Sequence, residues 1–296
     1  MELIAERGVD EHDRRSLLQW GEARRRDLPW RRTRDPWAIL VSETMLQQTQ
    51  VARVVPRFLE VMERFPTTAE CAAAPAGDLL RLWSGLGYNG RAVRLHAAAG
   101  AVERDFGGVF PRTIADLQHL PGVGPYTARA IMAFAFEADV AIVDTNVART
   151  WARWSGRPLR PGEVQALADA AVPEGEGWAW NQSLLDLGAT ICRARGPQCE
   201  SCPWARSCSW SAAGCPAPDP ASGSAHTSRP QSPFVGSDRQ GRGRLVRALG
   251  RGPVSADHLG TTMGWPDDEV RAARVAAGVV ADGLAVRAPR GEYRLP

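Results

Sequence analysis

The chain has 296 residues, enough for one large or two moderate domains that each bury a core. Its formal net charge of +3 is too small to identify a nucleic-acid binder, but all 36 basic side chains are arginine because the sequence contains no lysine. Arginine suits bidentate phosphate contacts, although most of these residues are expected on ordinary solvated faces. The sequence shows no membrane-spanning apolar run and no export signal, so we expect a soluble, cytoplasmic protein.

The first part of the chain predicts a polar helix up to about residue 27 and an apolar helix from Trp37 onward. Glu43 interrupts the apolar side of the second helix, where it could simply be exposed. The residues that follow, 47–50, read Gln-Gln-Thr-Gln and form an uncharged hydrogen-bonding cluster. Such a cluster suits contact with base edges or with a displaced nucleotide.

A glycine-bounded turn at residues 83–88, Trp-Ser-Gly-Leu-Gly-Tyr, follows two or three further helices. The turn presents the apolar Leu86 and the aromatic Tyr88. A tip of this kind can wedge between stacked bases at the cost of unstacking them. Packing in a core is the alternative interpretation.

The most informative stretch begins with Leu120 and reads Leu-Pro-Gly-Val-Gly-Pro-Tyr-Thr. Gly122 and Gly124 allow a tight turn and a close approach of bare backbone, and Pro125 is pre-set for a first helical turn. The unpaired amide N–H groups at such a helix start favour an anion such as phosphate. A connection used only for packing is the alternative, because short motifs give many false matches.

An apolar helix near Thr127 to Phe136 leads from this turn to Asp144. Asp144 lies beside Asn146 at the edge of an apolar environment, where an unpartnered carboxylate is costly and therefore often functional. Helices are predicted for 147–154, 161–172 and 178–192, and no alternating strand appears before residue 210. The first two thirds of the chain therefore read as all-α.

Four cysteines have the spacing C-x6-C-x2-C-x5-C, which lets four thiolates meet one metal centre. They are Cys192, Cys199, Cys202 and Cys208. Without an export signal, metal ligation is favoured over disulfides. The spacing permits a zinc site or a 4Fe–4S cluster, and by general frequency zinc would lead. Cys71 and Cys215 lie outside this pattern and are predicted to be a core thiol and a linker thiol.

The last third begins with linker composition at 210–233, rich in Pro, Ala, Ser and Gly. Three short helices are predicted after it, over 239–250, 255–263 and 267–282, followed by a hairpin around 289–291. Helices followed by a hairpin indicate a small winged-helix-like domain.

Several of these segments resemble known families. The hairpin Leu120 to Thr127, followed some twenty residues later by Asp144, resembles the signature of the helix-hairpin-helix DNA glycosylases. Trp30-Arg31, Val41-Ser42-Glu43 and the run 45–51 resemble the MutY family of adenine DNA glycosylases, as does the turn 83–88. The cysteine spacing is similar to the iron–sulfur loop of MutY and endonuclease III.

This resemblance implies a mainly α fold: a helix-hairpin-helix glycosylase domain at 1–209 with a 4Fe–4S loop at 192–208, a linker at 210–233 and a winged-helix-like domain at 234–296. It favours a 4Fe–4S cluster over zinc and implies that the four cysteines are the ligands of that cluster. It also implies a DNA repair enzyme that hydrolyses the N-glycosidic bond of adenine mispaired with 8-oxoguanine or guanine in double-stranded DNA. We expect a monomer, associated with the nucleoid and not with a membrane.

The resemblance also implies roles for individual residues. Glu43 would protonate the flipped adenine, Asp144 would stabilise the developing sugar cation, and Asn146 would orient Asp144 or water. Tyr126 lies where bifunctional relatives carry a nucleophilic lysine, and a phenol cannot form an imine. Residues that match the adenine pocket are Trp30, Arg31 and Gln182. Those that match the vacated or opposite stack are Gln48, Thr49, Leu86 and Tyr88. Those expected on the DNA backbone are Gly122, Val123, Gly124, Tyr126 and Thr127.

One feature departs from the family: the remaining C-terminal chain is too short and too helical for the Nudix-like domain that typical MutY proteins use to recognise 8-oxoguanine. Residues 234–239 could substitute as a recognition loop, or they could be only a domain's entry turn. Two other functions stay open. One is a glycosylase that removes thymine from G·T mismatches, and the other is a non-catalytic, metal-binding winged-helix regulator.

Overall fold

The computed structural model describes residues 8–224 and 233–296. Its described residues are mainly helical, as predicted. The helices are α1 (Glu11–Arg24), α2 (Pro36–Leu46), α3 (Val51–Arg64), α4 (Thr68–Ala73), α5 (Ala76–Leu82), α6 (Gly90–Phe106), α7 (Ile114–Leu117), α8 (Pro125–Ala135), α9 (Thr145–Ser155), α10 (Pro161–Ala171), α11 (Gly177–Thr190), α12 (Ser209–Ala212), α13 (Asp238–Leu249), α14 (Leu259–Met263) and α15 (Glu269–Ala281). Short 3-10 turns occur at Pro29–Arg31, Cys199–Ser201 and Ala256–His258. No helix among the described residues is both long and apolar enough to cross a membrane.

The described chain divides into two compact units. The first contains the described residues through Arg34 and those from Pro125 to Ser224. The second contains Asp35–Gly124 and the residues from Pro233 onward. The predicted domain boundaries at 210 and 234 stay a prediction.

In the first unit, the core is built around indole rings from α9, α11 and the cysteine loop. Trp151, Trp154, Trp180 and Trp204 are all buried, and the rings of Trp151 and Trp204 lie 5.3 Å apart between centroids. The indole N–H of Trp204 donates to the Asp13 carbonyl at 2.9 Å, which ties α1 to the loop. Large aromatic surfaces of this kind contribute much of the burial energy of a small core.

The residues after α12 pack against this unit. Asp219 accepts hydrogen bonds from the buried Arg153 on α9, the shortest at 2.6 Å, and Ala221 and Ser224 are buried. Within the predicted linker, residues 225–232 lie outside the described residues, whereas 210–224 are fixed by these contacts.

In the second unit, α2 starts at Asp35, whose carboxylate accepts from the backbone N–H groups of Trp37 and Ala38, with Pro36 at the first helical position. The helix is buried along almost its whole length, because its apolar side chains pack against α3 and α6. The Trp37 indole N–H donates to the Phe65 carbonyl at 2.9 Å and fixes the end of α3.

The C-terminal part of the second unit contains the predicted three helices followed by a hairpin. Strands β1 (Val286–Arg287) and β2 (Tyr293–Arg294) pair antiparallel in the register Val286↔Arg294, and Val254 bridges to Tyr293. Helices α13, α14 and α15 pack on one another. These elements match the predicted order, while the winged-helix-like assignment stays a prediction.

Candidate active site

Asp144 is the N-cap of α9. Its Oδ1 atom accepts hydrogen bonds from the backbone N–H groups of Asn146 at 2.8 Å and Val147 at 2.7 Å, and its Oδ2 atom accepts from the Asn146 side-chain amide at 2.8 Å. A carboxylate at a helix start satisfies otherwise unpaired donors and is favoured by the helix dipole. Asp144 is half-buried, so its position is fixed while part of it faces solvent.

Asn146 connects Asp144 to the cysteine loop. The Asn146 side-chain oxygen accepts from Arg149 Nη2 at 2.8 Å, and Arg149 Nε donates to the Cys192 carbonyl at 2.7 Å. Burial lowers the pKa of Arg149, with the opposing charges of Cys192 and Asp144 too weak to restore it. Asp144 and Asn146 are thus in direct contact, while the roles predicted for them stay a prediction. The sequence patterns gave no indication of Arg149.

Arg31 and Gln182 lie in the first unit and are both buried. Arg31 forms a two-point ion pair with Asp186 on α11, with nitrogen–oxygen distances of 2.7 and 2.9 Å. Burial raises the pKa of Asp186, but the hydrogen bonds and charge of Arg31, helped by Arg26, outweigh it and leave this pKa below its ordinary value. The partner of Arg31, Asp186, thus lies one turn along α11 from Gln182. The roles of Arg31, Gln182 and the buried Trp30 in an adenine pocket stay a prediction.

Glu43 is the single charged residue of α2 and is only 6% exposed. The possibility that it is a solvated surface residue is therefore wrong. Its burial follows from the apolar character of the helix around it, since every α2 residue from Trp37 to Met45 is buried. Burying a carboxyl group carries a large desolvation cost, which makes Glu43 a functional candidate on physical grounds.

Arg91, on the first turn of α6, joins the two segments that were predicted to enter the base stack. Its Nη1 atom donates to the carbonyls of Thr44, Met45 and Gln47 at 2.6 to 3.0 Å. Its Nη2 atom donates to Thr49 Oγ1 at 3.1 Å and to the carbonyls of Leu86 and Gly87 at 3.3 and 3.0 Å. Burial lowers the pKa of Arg91 to about 10, so the side chain stays charged at neutral pH.

This contact brings the Gln-Gln-Thr-Gln segment and the glycine-bounded turn together within the second unit. Thr49 Oγ1 also donates to the Leu86 carbonyl at 3.3 Å. Gln48 and Tyr88 are exposed and both have positive φ, 53° and 48°, whereas Leu86 is buried. A non-glycine residue in this conformation is uncommon and is held only where its surroundings impose it.

The hairpin before α8 has the predicted tight turn. Gly122 has φ +81°, and the Val123 N–H donates to the Leu120 carbonyl at 3.0 Å. Gly122 is exposed and no atom lies within 4 Å of a Cβ built at Gly124, so the backbone here is open to a ligand. Val123 and Thr127 are buried, and Tyr126 is half-buried on the first turn of α8.

All four predicted metal ligands line one pocket in the first unit. Arg153, Trp154, Trp204 and Trp210 contribute to the same wall. Burial raises the pKa of Cys202 to about 12 and that of Cys208 to about 11, so both thiols are protonated in the absence of a cation. Among the described residues, no three His, Cys, Asp or Glu side chains converge tightly enough to form a ready single-ion site. Four cysteine thiolates around one pocket would also suit a 4Fe–4S cluster, which is held by four such ligands.

Comparison with known proteins defines the class. A family model described as the HhH-GPD superfamily base excision DNA repair protein matches residues 41–174. The structure is similar to a thermostable thymine-DNA glycosylase, with a TM-score of 0.63 and 31% identity over 68% of this chain and 97% of that one. It also shares the fold of endonuclease III in a trapped DNA complex, with a TM-score of 0.61, 23% identity and coverage of 69% and 96% of the two chains. The fold and the hairpin are those of a helix-hairpin-helix base excision repair protein.

Curated relatives show which family within this superfamily the chain belongs to. The adenine DNA glycosylase of Mycolicibacterium smegmatis is 38% identical over 94% of this chain and 94% of its own length, and that of Mycobacterium tuberculosis H37Rv is 40% identical over 95% and 92%. The human adenine DNA glycosylase is 40% identical over 64% of this chain and 38% of its own length. The chain belongs to the MutY-type adenine DNA glycosylase family. The predicted recognition and the mainly α glycosylase fold are confirmed.

Proposed function

We propose that this chain is a monofunctional adenine DNA glycosylase that excises adenine opposite 8-oxoguanine or guanine from double-stranded DNA, acting as a monomer. Relatives with the same named activity over nearly their whole length support the reaction. The geometric observation that carries the proposal is Asp144, whose carboxylate is held by three N–H groups at the start of α9 while part of it stays accessible.

Adenine is a poor leaving group, so the cleavage needs a proton on the base and stabilisation of positive charge on the sugar. Glu43 supplies the proton from its buried place on α2. Asp144 stabilises the oxocarbenium-like sugar, because its hydrogen bonds fix a negative charge before the reaction begins. Asn146 keeps Asp144 oriented, and Arg149 keeps Asn146 oriented in turn.

Monofunctional chemistry follows from the residues available. A lyase step needs an amine that forms a Schiff base, and because the chain contains no lysine side chain only its terminal amino group could supply one. Tyr126 can donate a hydrogen bond but cannot form an imine. We therefore expect no efficient covalent trapping of this protein on DNA by borohydride.

A single assay tests the reaction and its alternatives. Base release is measured from duplexes that contain adenine opposite 8-oxoguanine, adenine opposite guanine, or thymine opposite guanine. Release of adenine from the first two supports the proposal. Release of thymine alone would replace it with the G·T mismatch activity, and binding without release would indicate a non-catalytic DNA-binding protein.

Two variants test the assigned roles. Asp144→Asn and Glu43→Gln remove one ionisable group each with little change in shape, so both should abolish adenine release while the duplex is still bound. Asp10→Asn is the matched control, because Asp10 also caps a helix of the first unit and accepts from the Asp13 N–H at 2.9 Å. Near-normal release by Asp144→Asn or Glu43→Gln would contradict the mechanism.

We infer that Cys192, Cys199, Cys202 and Cys208 hold a 4Fe–4S cluster. The four thiols line one pocket, and their spacing resembles the iron–sulfur loop of MutY and endonuclease III, which favours a cluster over one zinc ion. Its role is structural, because base excision transfers no electron. Metal analysis should find iron and sulfide, lost in Cys202→Ser and retained in Cys71→Ser, whose thiol is buried elsewhere in the core. Zinc in place of iron would overturn the assignment.

DNA contact is proposed for the hairpin and for the arginine-linked segments of the second unit. The exposed Gly122 and the open space beside the half-buried Gly124 suit a phosphate, and the exposed Tyr88 and Gln48 suit insertion into the base stack. For the base opposite adenine we propose the turn 234–239, where Phe234 is 57% and Val235 84% exposed. Phe234→Ala should weaken the preference for 8-oxoguanine over guanine, whereas Val270→Ala, at a valine of α15 that is 83% exposed, should leave it unchanged.

A further inference from the structure

Cys215 lies beside the metal loop, although its position in the sequence gave no sign of this. Its Sγ atom is 3.8 Å from Sγ of Cys199, which is sixteen residues earlier. Of the six cysteines, Cys215 is the one that is exposed. A fifth thiol is therefore in contact with one of the four proposed ligands, and it is open to solvent reagents.

The chain around Cys215 holds this thiol in place. The Cys215 N–H donates to the Trp210 carbonyl at 2.9 Å, and the Trp210 indole N–H donates to the Pro216 carbonyl at 2.8 Å. Trp210 is buried and lines the same pocket as the four ligands. Cys215 itself has φ +57°, a conformation that non-glycine residues keep only when neighbouring contacts impose it.

We propose that Cys199 and Cys215 form a reversible disulfide when the loop holds no cluster, and that this bond withdraws one of the four iron ligands. The inference rests on the cluster assignment above. While Cys199 is bonded to iron, its sulfur cannot attack Cys215. Once the iron is gone, the two sulfur atoms must approach from 3.8 Å to about 2 Å, a shift within the reach of side-chain rotation.

The oxidant we assign is a hydroperoxide, with hydrogen peroxide as the test reagent. The Cys215 thiolate attacks the O–O bond, one oxygen leaves as water after protonation, and Cys215 becomes a sulfenic acid. The Cys199 thiolate then attacks the Cys215 sulfur, the S–S bond forms, and the hydroxyl group leaves as a second water. The two thiols lose two electrons and two protons, and the peroxide is reduced to two waters. A thiol reductant reverses the bond.

The experiment uses the full chain in two forms, as isolated with its cluster and after iron removal by a chelator under reducing conditions. Each form is treated with hydrogen peroxide, free thiols are alkylated, and cross-linked peptides are identified by mass spectrometry. We expect a 199–215 link in the cluster-free chain that exceeds every other cysteine pair, and little of it in the loaded chain. The link should disappear in Cys215→Ser and persist in the matched variant Cys71→Ser.

Iron uptake gives a second readout. Oxidised cluster-free wild type should fail to rebuild a cluster from ferrous iron and sulfide, and dithiothreitol should restore uptake. A chain in which Cys199 pairs with Cys192, Cys202 or Cys208 as often as with Cys215 would overturn the proposal, and so would equal 199–215 linkage in loaded and cluster-free protein. Failure of the cluster assignment is distinguishable, because the protein as isolated would then contain no iron.

Discussion

At the scale of single residues, Arg91 shows how one buried cation can organise two loops. Its guanidinium meets five backbone carbonyls and one hydroxyl within 3.3 Å. A planar group with donors in a fixed fork can meet acceptors on two sides at once, which the compact ammonium of lysine cannot. The segments 44–49 and 86–88 are therefore held together by this side chain and by the hydrogen bond from Thr49 Oγ1 to the Leu86 carbonyl.

We predict that Arg91→Lys lowers the free energy of unfolding by about 3 kcal/mol, because several buried carbonyls lose a charged donor. It should also weaken binding to duplexes that contain a mispaired adenine. Urea denaturation and a DNA titration measure the two effects. Arg104→Lys, at an exposed position of α6, is the control and should change neither quantity. Equal stability of the Arg91 and Arg104 variants would contradict the role given to Arg91.

The ion pair of Asp186 with Arg31 gives a prediction that depends on pH. The pKa of Asp186 is lower in the folded chain than its ordinary value, so the carboxylate stabilises the fold above about pH 4 and this contribution is lost as pH falls further. Asp186→Asn should cost about 3–5 kcal/mol at pH 7, because it leaves Arg31 buried without its charge partner.

Unfolding in urea at pH 7 and at pH 3 tests this assignment. The stability difference between wild type and Asp186→Asn should shrink at the lower pH, where the wild-type carboxylate begins to be protonated. Asp27→Asn, which breaks an ion pair with Arg32 in which both side chains are about 70% exposed, should show no measurable loss. The same Asp186 difference at both pH values would argue against an ionised pair.

At the scale of elements, the hairpin before α8 combines a backbone requirement with a close contact. Gly122 has φ +81°, and a Cβ atom there would lie 2.9 Å from Cβ of Arg94 on α6. Gly122→Ala should therefore cost at least about 1–2 kcal/mol, the usual penalty for an L-residue in this conformation. Thermal unfolding measures the loss, with Gly124→Ala as the control because neither constraint applies there. A loss of stability in both variants, or in neither, would count against this explanation.

Elements with a strong local signal were predictable, and contacts between distant residues were not. Turn residues predicted the hairpin, apolar periodicity predicted the helices, and the cysteine spacing predicted that four thiols come together. The short distance in sequence between Asp144 and Asn146 likewise predicted that they are neighbours. The role of Arg91 was not predictable because most of its partners are backbone carbonyls, which every residue has and which no sequence pattern distinguishes. Asp186 is the one charged residue of α11, as Glu43 is of α2, so the sequence did contain a signal that could have identified it. The closeness of Cys215 to Cys199 depends on a loop conformation that spacing alone does not determine.

At the scale of the whole molecule, residues at the end of the described chain complete the second unit. The Gly77 N–H at the start of α5 donates to the Pro296 carbonyl at 2.9 Å, and a Cβ at Gly77 would lie 2.7 Å from that oxygen. We predict that Gly77→Ala loosens residues 284–296, which amide hydrogen exchange would show as loss of protection. Gly243→Ala on α13, where no atom lies within 4 Å of the added methyl group, should leave the protection intact.

The division of the first unit into two stretches of sequence has a consequence for biosynthesis. Helix α1 packs against α11, and Asp13 accepts its bond from Trp204, 191 positions later. A ribosome that has just finished residue 124 has therefore released α1 without any of these partners, because α11 and the cysteine loop have not yet been synthesised. Helix α1 cannot pack against its partners until most of the polypeptide has been translated, so the unit that carries Asp144 and the cysteine loop folds late. Until then Leu17 of α1 has no core to be buried in.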